Sequence, residues 1–382
     1  MPFRYRDAIH SWMFEAALPW WAEHGIDRVH GGYVEQMTLD GHDAAAAFKR
    51  TRVTARQIYV FSHAHVLGFS RGAELARHGF DFLVTKTWNG SDRGFARRLT
   101  REGAPLDPTP DLYDIAFCLF AFAWLHKATG DPSARDWLHR TLDFIETHMR
   151  HPSGLGFQNE LPATRWRQQN PHMHLTEAML AAFEATGEKR FEDGARDLVG
   201  LFQTKFFDLK SGTLGEFFTD DLARALGETG RQVEPGHQFE WAWILNSCRR
   251  HLGMDLAAEI RAAVKFAEAH GVDPKSAATY NVVRDDGAPT DRGSRTWPNC
   301  ERLKAAIALQ DLDGTDPVPI LNASCQLLFE RYLAHRPTGT WIDAFDASGK
   351  PGADTIPAST LYHVFLAFSE VLRVYNAGGL SS

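Results

Sequence analysis

Residues 113–128 read YDIAFCLFAFAWLHKA, and apolar side chains fill nearly every position of this stretch. A helix without a polar face has no side to turn to water, so these residues predict a helix that is buried all round. Residues 189–205 and 255–270 also have helical periodicity, but their charged residues fall on one face. Helices of that kind bury one side and expose the other. The chain therefore alternates between two kinds of helix, an inner and an outer type.

Helical periodicity recurs along the whole chain. It predicts about a dozen segments, at residues 7–23, 54–68, 72–87, 113–128, 132–149, 174–186, 189–205, 237–252, 255–270, 298–309, 317–333 and 360–375. The inner type is regularly spaced, at steps of 59, 61, 63, 61 and 62 residues, and begins near Thr54, Tyr113, His174, His237, Pro298 and Thr360. Spacing this regular indicates an internal repeat.

A similar segment precedes each inner helix and consists of a glycine- or aromatic-rich strand, a polar turn and a short approach. The predicted strands contain Gly32-Tyr33, Gly94-Phe95, Gly156-Phe157, Gly215-Glu216, Thr279-Tyr280 and Thr340-Trp341. Six such units predict an all-α fold: an (α/α)6 barrel of six inner and six outer helices, with short β-hairpin-like connections at one mouth.

An open solenoid of six helix pairs is the alternative to a closed barrel. Open solenoids need polar caps at both ends, whereas the last unit here ends on the apolar stretch HVFLAFSEVLRVY. Closure is therefore favoured. Since no Pro/Ser-rich linker divides the chain, we expect residues 1–382 to form a single domain.

Composition excludes several classes of partner. The chain has 382 residues, a formal net charge of −7 and no Lys/Arg-dense run, which argues against nucleic acid or an anionic membrane. No apolar run is long enough to span a membrane, and the N-terminus has no signal-peptide core. Four cysteines without CxxC spacing are typical of free thiols in a reducing compartment. We expect a cytoplasmic protein with no nucleic-acid or membrane partner.

A closed barrel would place the N-termini of its inner helices around one mouth. The residues there are Arg56, Tyr113, Asp114, His174, His237, Trp297 and His363. Imidazoles transfer protons near neutral pH, and helix N-termini favour an anionic intermediate. Aromatic walls are suited to the apolar faces of a sugar ring, and the candidates are Trp297, Trp341, Phe157 and Tyr362.

Each histidine also has a purely structural interpretation. A histidine at a helix start is more often a cap or a core residue than a catalyst, and this holds for His174, His237 and His363 taken singly. Their shared position in the repeat is what favours a function. His172 and His65 lack the full pattern and are weaker candidates for the cavity.

The pairs His174–Glu177 and His237–Glu240 place a carboxylate one turn after a histidine. The carboxylate could orient the imidazole, or two such pairs could bind a metal. Metal sites in helical bundles usually have Glu before His and more acidic ligands, so we expect no metal. Phosphate-binding, dinucleotide-binding and serine-nucleophile motifs are absent from the sequence. We therefore expect a cofactor-free reaction that abstracts a proton next to a carbonyl group.

Five motifs, in the order and phase of the repeat, resemble the N-acylglucosamine 2-epimerase superfamily. They are RVTARQIYVFSHA (52–64), NPHMHLTEA (170–178), EPGHQFEWAWIL (234–245), RTWPNCERLKA (295–305) and PASTLYHVF (357–365). Within the superfamily, ARQIYVFSHA and TWIDAFDASGKP…PASTLYH are most similar to the aldose–ketose isomerase branch that includes D-mannose isomerase. The resemblance covers essentially the whole chain.

This resemblance implies a role for several residues. His237 and His363 match the two histidines that act as general acid and base, and His174 matches a histidine of ring opening and substrate binding. Arg56 matches an arginine that stabilises the enediolate oxygen, and Glu240 matches a carboxylate that orients His237. Five further residues are predicted to bind the substrate, namely Trp297, Trp341, Tyr113, Asp114 and His172.

The resemblance implies an aldose–ketose isomerase that acts on a free monosaccharide, D-mannose or D-fructose, as a monomer or homodimer. A sugar 2-epimerase on the same scaffold is the first alternative, because the two reactions differ only in where the second proton is returned. An (α/α)6-barrel glycoside hydrolase is another; it would need a carboxylate pair, for which Asp114 and Glu240 are available. A non-catalytic sugar-binding or protein-binding toroid is the last.

Overall fold

The computed structural model describes residues 2–163, 166–378 and 380, and within them twelve long helices alternate between an inner and an outer ring. The inner helices are α2 (Thr51–Val66), α4 (Leu112–Thr129), α6 (Gln169–Thr186), α8 (Pro235–Leu252), α10 (Thr296–Asp313) and α12 (Leu361–Asn376). The outer helices are α1 (6–24), α3 (Gly72–Lys86), α5 (Pro132–His148), α7 (189–206), α9 (Ala257–His270) and α11 (318–332).

Three outer helices contain a π-helical turn. In α1 it is Trp12–Ala17, between Arg6–Ser11 and Leu18–His24. In α7 it is Phe202–Phe206, after Lys189–Leu201, and in α11 it is Leu328–Tyr332, after Val318–Leu327. Two short 3₁₀ helices, Gly227–Arg231 and Ala358–Thr360, lie in the connections before α8 and α12.

Helix α4 shows how an inner helix forms. Its side chains are buried almost without interruption from Leu112 to Leu125, as its sequence predicts. The Asp111 carboxylate caps the N-terminus by accepting the N–H groups of Tyr113 and Asp114, and Gly130, at φ 70°, ends the helix. One continuous apolar core fills the layer between the rings. In the described part of the chain, no helix is long and apolar enough to cross a membrane.

Short strands lie in the connections that lead from each outer helix to the next inner helix. They are β1 (Gln36–Thr38), β2 (Phe48–Arg50), β3 (Arg98–Thr100), β4 (Pro105–Asp107), β5 (Arg167–Gln168), β6 (Phe207–Asp208), β7 (Thr213–Leu214), β8 (Phe217–Phe218), β9 (Gln232–Val233), β10 (Val282–Arg284), β11 (Pro289–Asp291), β12 (Ser294–Arg295), β13 (Ala344–Phe345) and β14 (Thr355–Pro357). The pairs β3–β4, β6–β7 and β10–β11 lie within one connection, as hairpins do. The pairs β2–β3, β5–β8, β9–β10 and β12–β13 instead join successive connections. Strands this short are not stable alone, so these pairs link the units together.

The glycine–aromatic segments predicted as strands are tight turns in the structure. Their aromatic residues form isolated bridges to the second residue after an outer helix, in the pairs Ile26–Tyr33, Trp88–Phe95 and Arg150–Phe157. The glycine before each aromatic has φ between 59° and 67°, in the left-handed region that favours glycine. The chain therefore reverses there instead of extending.

The ring closes between the first and last units. Helix α12 packs against α2, and β1 pairs antiparallel with β14. Gln57 Nε2 donates a hydrogen bond to the Ala358 carbonyl at 2.7 Å, and Trp21 Nε1 donates one to the Gly339 carbonyl at 3.1 Å. Each inner helix also contacts both of its inner neighbours. The expected (α/α)6 barrel is thus confirmed, and an open solenoid is excluded.

Several inner helices begin earlier than the sequence predicts. Helix α6 begins at Gln169 instead of His174, and α2 begins at Thr51 instead of Thr54. Polar residues precede each of these predicted starts. In the structure the polar residues belong to the first turn, because that turn borders a polar cavity. His174 therefore lies in the second turn of α6, one turn below the mouth.

Candidate active site

A cavity of about 450 Å³ opens at the N-terminal ends of the inner helices. Its volume is within the range of about 300–1,000 Å³ that is usual for small-molecule sites. The structure brings seven of the predicted site residues to its wall: Arg56, Tyr113, His174, His237, Glu240, Trp297 and His363. The strands that lead into the inner helices contribute further polar groups, among them Arg50, Gln168 and Arg295.

These side chains occupy two repeated positions on the inner helices. His237 and His363 are the third residues of α8 and α12. The sixth residues of α2, α6, α8 and α10 are Arg56, His174, Glu240 and Glu301. Residues three apart share one face of a helix. The site therefore has two levels: His237 and His363 lie near the mouth, and the second set lies one turn below.

His237 is buried among carboxylates. Its Nδ1 is 3.0 Å from Glu216 Oε2 and 3.9 Å from Glu234 Oε2. Glu216 is held in place because it accepts hydrogen bonds from Gln169 Nε2 at 3.0 Å and from the Glu234 N–H at 3.2 Å. Burial alone would lower the pKa of His237, but the two carboxylates outweigh it and raise the pKa to about 9. His237 is therefore a cation at neutral pH.

His363 is buried beside a different set of charges. Its Nδ1 is 2.7 Å from Glu301 Oε1, and the other oxygen of Glu301 is 2.6 Å from Lys304 Nζ. Burial lowers the pKa of His363 well below its usual value, and the positive charges of Arg56 and Lys304 lower it further. His363 is therefore neutral. Since its Nδ1–H donates to Glu301, its Nε2 carries a free lone pair.

Trp297 lies beside both of these histidines. Its ring centroid is 5.2 Å from that of His237 and 5.4 Å from that of His363, at interplanar angles of 35° and 39°. The guanidinium of Arg295 lies 5.2 Å from the same indole. One half-buried aromatic surface thus adjoins a cationic and a neutral imidazole.

His174 is fixed by a carboxylate on its own helix. Its Nδ1 is 3.2 Å from Glu177 Oε2, and the Tyr362 hydroxyl donates to the same carboxylate at 2.7 Å. Burial lowers the pKa of His174 to about 4, although Glu177 opposes this shift. The possible orienting role of Glu177 thus has a geometric basis. His174 is neutral at pH 7.

Arg56 brings an unbalanced positive charge to the cavity. Its Nη2 donates to the Tyr113 hydroxyl at 2.6 Å, and its guanidinium lies 4.2 Å from the Phe117 ring centroid and 5.0 Å from that of Tyr362. In the described residues no carboxylate lies within 4 Å of the guanidinium, and its Nε has no hydrogen-bond partner. A buried arginine held only by aromatic rings and neutral oxygens can bind an anion.

The prediction that Glu240 orients His237 is wrong. Glu240 does not orient His237; Glu216 does so, because His237 turns its Nδ1 toward the loop between β7 and β8. Glu240 lies one turn deeper, with Oε1 4.0 Å from His363 Nδ1 and without a hydrogen bond to any described residue. Burial and the nearby charge of Glu301 raise the pKa of Glu240 well above its usual value. Glu240 therefore lines the cavity as a carboxyl group whose ionised form is disfavoured by its surroundings.

Trp341 is not part of the cavity wall, so the expectation that it stacks on a sugar is wrong. It is 0% exposed and stacks on Trp21 of α1, with ring centroids 5.2 Å apart. The TWIDAFD segment contributes Asp343 to the cavity instead. The Asp343 carboxylate accepts the Thr360 hydroxyl at 2.7 Å, and burial raises its pKa.

His172 and Asp114 also lie outside the cavity lining, which contradicts their predicted contact with substrate. His172 accepts the Phe157 N–H through Nε2 at 3.0 Å and donates through Nδ1 to the Gln168 carbonyl at 3.0 Å, so both ring nitrogens are used by the backbone. Asp114 accepts the N–H of Arg52 at 3.1 Å. Two predicted wall residues, Phe157 and Tyr362, are core residues as well.

Sequence reasoning missed the two carboxylates that hold the histidines. Glu216 stands in the strand position of the fourth unit, within the Gly215-Glu216 pair that helps to define the repeat. Glu301 has the same helix position as Arg56 and His174, which was a usable signal. Glu216 gave no such signal, because its contact with His237 spans 21 residues and depends on tertiary packing.

Within the described ranges, three clusters of one histidine and two carboxylates have potential ligand atoms within 4.8 Å of one another: His174–Glu177–Glu240, Glu216–Glu234–His237 and Glu240–Glu301–His363. The histidines use Nδ1 for a carboxylate contact in each cluster, and Lys304 contacts the remaining oxygen of Glu301. A divalent ion would have to displace these contacts. Metal independence stays a prediction.

Comparison with known proteins places this geometry in a family. The sequence profile of N-acylglucosamine 2-epimerase (GlcNAc 2-epimerase) matches residues 31–367. A mannose-6-phosphate isomerase of Rhizobium meliloti (strain 1021) is 34% identical over 373 residues, 94% of this chain and 95% of that protein. A cellobiose 2-epimerase of Bacteroides fragilis is 25% identical over 363 residues, 88% of this chain and 90% of that protein.

A crystal structure of D-mannose isomerase has the same fold, with a TM-score of 0.88 at 22% identity; the match covers 96% of this chain and 98% of that chain. The family match runs through all six units and agrees with the resemblance of the five motifs. The chain therefore belongs to the N-acylglucosamine 2-epimerase family of sugar epimerases and isomerases.

Proposed function

We propose that this chain is an aldose–ketose isomerase that interconverts D-mannose and D-fructose as free sugars. The observation that carries the proposal is the pair His237 and His363, which adjoin one indole in opposite protonation states. Aldose–ketose isomerisation needs a base that moves a proton from C2 to C1 and an acid that moves a proton between two oxygens. Two groups whose pKa values are shifted in opposite directions supply an acid and a base at the same pH.

His363 is the base in this scheme and His237 is the acid. The Nε2 lone pair of His363 removes the C2 proton of the open-chain aldose while His237 donates its proton to O1, which gives an enediol. In the second step, the O2 hydroxyl returns a proton to His237, and protonated His363 delivers its proton to C1. The C2 carbonyl forms, and both histidines recover their starting states.

Arg56 stabilises the negative charge that builds on O1 and O2 before the protons have fully moved. Its guanidinium has no carboxylate partner among the described residues, so its charge is available to the intermediate. A donor that meets charge developing in the transition state in a water-poor site contributes more than it would in water.

Ring opening precedes proton abstraction and requires a proton to move from the O1 hydroxyl to the ring oxygen. His174 is suited to this step because it is neutral, its Nδ1 is held by Glu177, and its Nε2 is free to accept the proton and return it. Trp297 provides the aromatic face on which the apolar side of the sugar stacks.

A neutral sugar is favoured over a sugar phosphate by the charges at the mouth. Arg56 lies one turn below the mouth, and the three arginines at the mouth itself each face a carboxylate, in the pairs Arg50–Glu35, Arg52–Asp114 and Arg295–Glu234. A phosphate held at the mouth would have to displace a carboxylate to gain one of these three arginines. We therefore expect D-mannose to be a better substrate than D-mannose 6-phosphate.

A sugar 2-epimerase is the second candidate. It is favoured by the cellobiose 2-epimerase relative and by the nearly equal distances of the two imidazoles from Trp297. If a proton returned to the opposite face of C2, mannose would become glucose. The carboxylate pair predicted for the hydrolase alternative, Asp114 and Glu240, does not meet in the cavity, because Asp114 does not line it. A non-catalytic sugar-binding or protein-binding toroid would not need one cationic and one neutral histidine in its cavity.

Proton NMR of the protein incubated with D-mannose in D₂O, without added metal or nucleotide, tests the proposal. Fructose that appears first, with deuterium at C1, would support isomerisation. Glucose that appears first, with deuterium at C2, would support the epimerase instead. Unchanged mannose would overturn the proposed substrate, and lyxose, N-acetylmannosamine, cellobiose and sulfoquinovose would be tried next.

A further inference from the structure

Lys304 lies directly behind His363, in a position that touches no substrate. It stands on α10 in the RTWPNCERLKA motif, is 0% exposed and does not line the cavity. Its Nζ is 2.6 Å from Glu301 Oε2 and 4.3 Å from the centroid of the Trp243 ring. Glu301 is also 0% exposed. A fully buried ion pair is costly to desolvate and contributes little net stability, so packing alone gives no reason for it.

This ion pair also contacts the proposed base. Glu301 contacts Lys304 through Oε2, and its Oε1 is 2.7 Å from His363 Nδ1. We propose that Lys304 is a positioning residue that supplies the counter-charge of Glu301, so that Glu301 accepts the Nδ1–H of a neutral His363 and leaves the Nε2 lone pair in the cavity. This inference rests on the proposed function only in taking His363 as the base.

Glu216, the carboxylate that contacts His237, has different neighbours from Glu301. Among the described residues no lysine or arginine lies within 4 Å of Glu216, which accepts hydrogen bonds only from the Gln169 amide and a backbone N–H besides His237. The counter-charge of Glu216 therefore has to be a proton on His237. The counter-charge of Glu301 is Lys304, which leaves its histidine neutral.

The charged groups around His363 show what removal of Lys304 would do. They are Arg56 of α2, His174 and Glu177 of α6, His237 and Glu240 of α8, and Glu301 and Lys304 of α10, with Tyr362 adjacent on α12 itself. Without Lys304, Arg56 is the one permanent cation in this set. The charge of Glu301 then draws a proton onto His363, as Glu216 does for His237, and the lone pair on Nε2 is lost.

The test is the variant Lys304→Met, which keeps most of the length of the side chain and removes its charge. ¹⁵N NMR of histidine-labelled protein without sugar is expected to show His363 neutral at pH 7 in the wild type and cationic in K304M. With sugar, the acid limb of the kcat profile should move up by at least two pH units, to about pH 8–9, so kcat at pH 7 should fall about 10- to 100-fold, and KM should change less than about twofold. A neutral His363 and an unmoved acid limb in K304M would overturn the proposal.

The double variant K304M/E301Q separates charge from packing. With both charges removed, the amide carbonyl that replaces the Glu301 carboxylate still accepts the Nδ1–H of His363. The acid limb and the neutral ¹⁵N signals should therefore return to near their wild-type positions. An acid limb still displaced in the double variant would contradict an effect through Glu301. Should K304M not fold, the charge-balanced double variant carries this test.

The variant K49M is the matched control, since Lys49 is a buried lysine paired with Asp27 at 2.8 Å outside the cavity lining. It should lose stability without a change at His363. Because the NMR measurement uses no sugar, it judges the role of Lys304 even if D-mannose proves to be the wrong substrate.

Discussion

His237 and His363 stand at the same place in two different units of the ring. Each is the third residue of an inner helix, each has Nδ1 within 3.0 Å of a glutamate, and each adjoins the Trp297 indole. Yet the pKa of His237 is raised to about 9, and that of His363 is lowered well below its usual value. The histidine and its carboxylate are therefore not enough to fix the protonation state.

His237 has a second carboxylate nearby in Glu234, and His363 has the cation Arg56, but the two sites also differ at the far side of each contacting carboxylate. Glu216 is held by an amide and a backbone N–H, whereas Glu301 contacts the ammonium group of Lys304. A carboxylate with no other cation stabilises a proton on its histidine, and one that is already paired does so much less. Equivalent positions of a repeated fold can thus supply an acid and a base when the groups that contact their carboxylates differ in charge.

Loss of either histidine should have the largest effect on turnover. His363→Ala removes the proposed base and His237→Ala the proposed acid, so kcat for D-mannose should fall about 10³-fold or more, near the upper part of the range for one acid–base group. Initial rates of fructose formation measure this. His42→Ala, at a histidine side chain that is 82% exposed, is the control and should keep wild-type kcat. Substantial turnover by H363A or H237A would contradict the assignment.

Arg56→Met should have the next largest effect, because it removes a charge that both proton-transfer steps share. We expect kcat to fall about 10²- to 10³-fold, the range found when one donor to a developing oxyanion is lost. Arg71→Met, at an exposed arginine, should be close to wild type. If R56M raised KM and left kcat intact, Arg56 would bind the sugar without stabilising the intermediate.

Glu216→Gln should make the surroundings of His237 more like those of His363. The proposed acid must be protonated, so wild-type activity should fall as pH rises through the His237 pKa of about 9. Loss of the Glu216 charge lowers that pKa, and the alkaline limb should move down by about two units, with kcat at pH 8 about tenfold lower. An alkaline limb that stays in place in E216Q would show that another group sets it.

The two tryptophans predicted to bind sugar should behave differently. Trp297→Ala removes the aromatic face of the cavity, and KM should rise about tenfold, in line with the modest value of one stacking contact. Trp341→Ala leaves a hole beside Trp21 and should cost about 3–5 kcal/mol of folding free energy with KM unchanged. Urea unfolding and steady-state kinetics on both variants measure these effects. The reverse pattern would restore the original prediction for Trp341.

Chelation should have the smallest effect of all. The scheme assigns every proton transfer to a side chain, so prolonged dialysis against EDTA should leave kcat and KM within error of their starting values. Activity that is lost in EDTA and restored by one divalent ion would show that one of the histidine–carboxylate clusters holds a metal.

Much of the fold could be predicted from the sequence, because a repeat of about sixty residues and the alternation of inner and outer helices both follow from apolar periodicity. The shared register also brought His174, His237 and His363 together correctly. Glu216 could not be placed as the partner of His237, since that depends on a loop from another connection. Trp341 was misplaced because an aromatic residue near a cavity and one in the core look alike in sequence.

The most direct test of the central claim is a pH titration of the two histidines in the wild-type protein without sugar. ¹⁵N NMR of histidine-labelled protein, assigned with the H237N and H363N variants, reports the charge and tautomer of each ring. We predict that His237 is cationic at pH 7 and titrates near pH 9, while His363 stays neutral with its proton on Nδ1. Two histidines that titrate together near pH 6.5, or a cationic His363, would contradict the account.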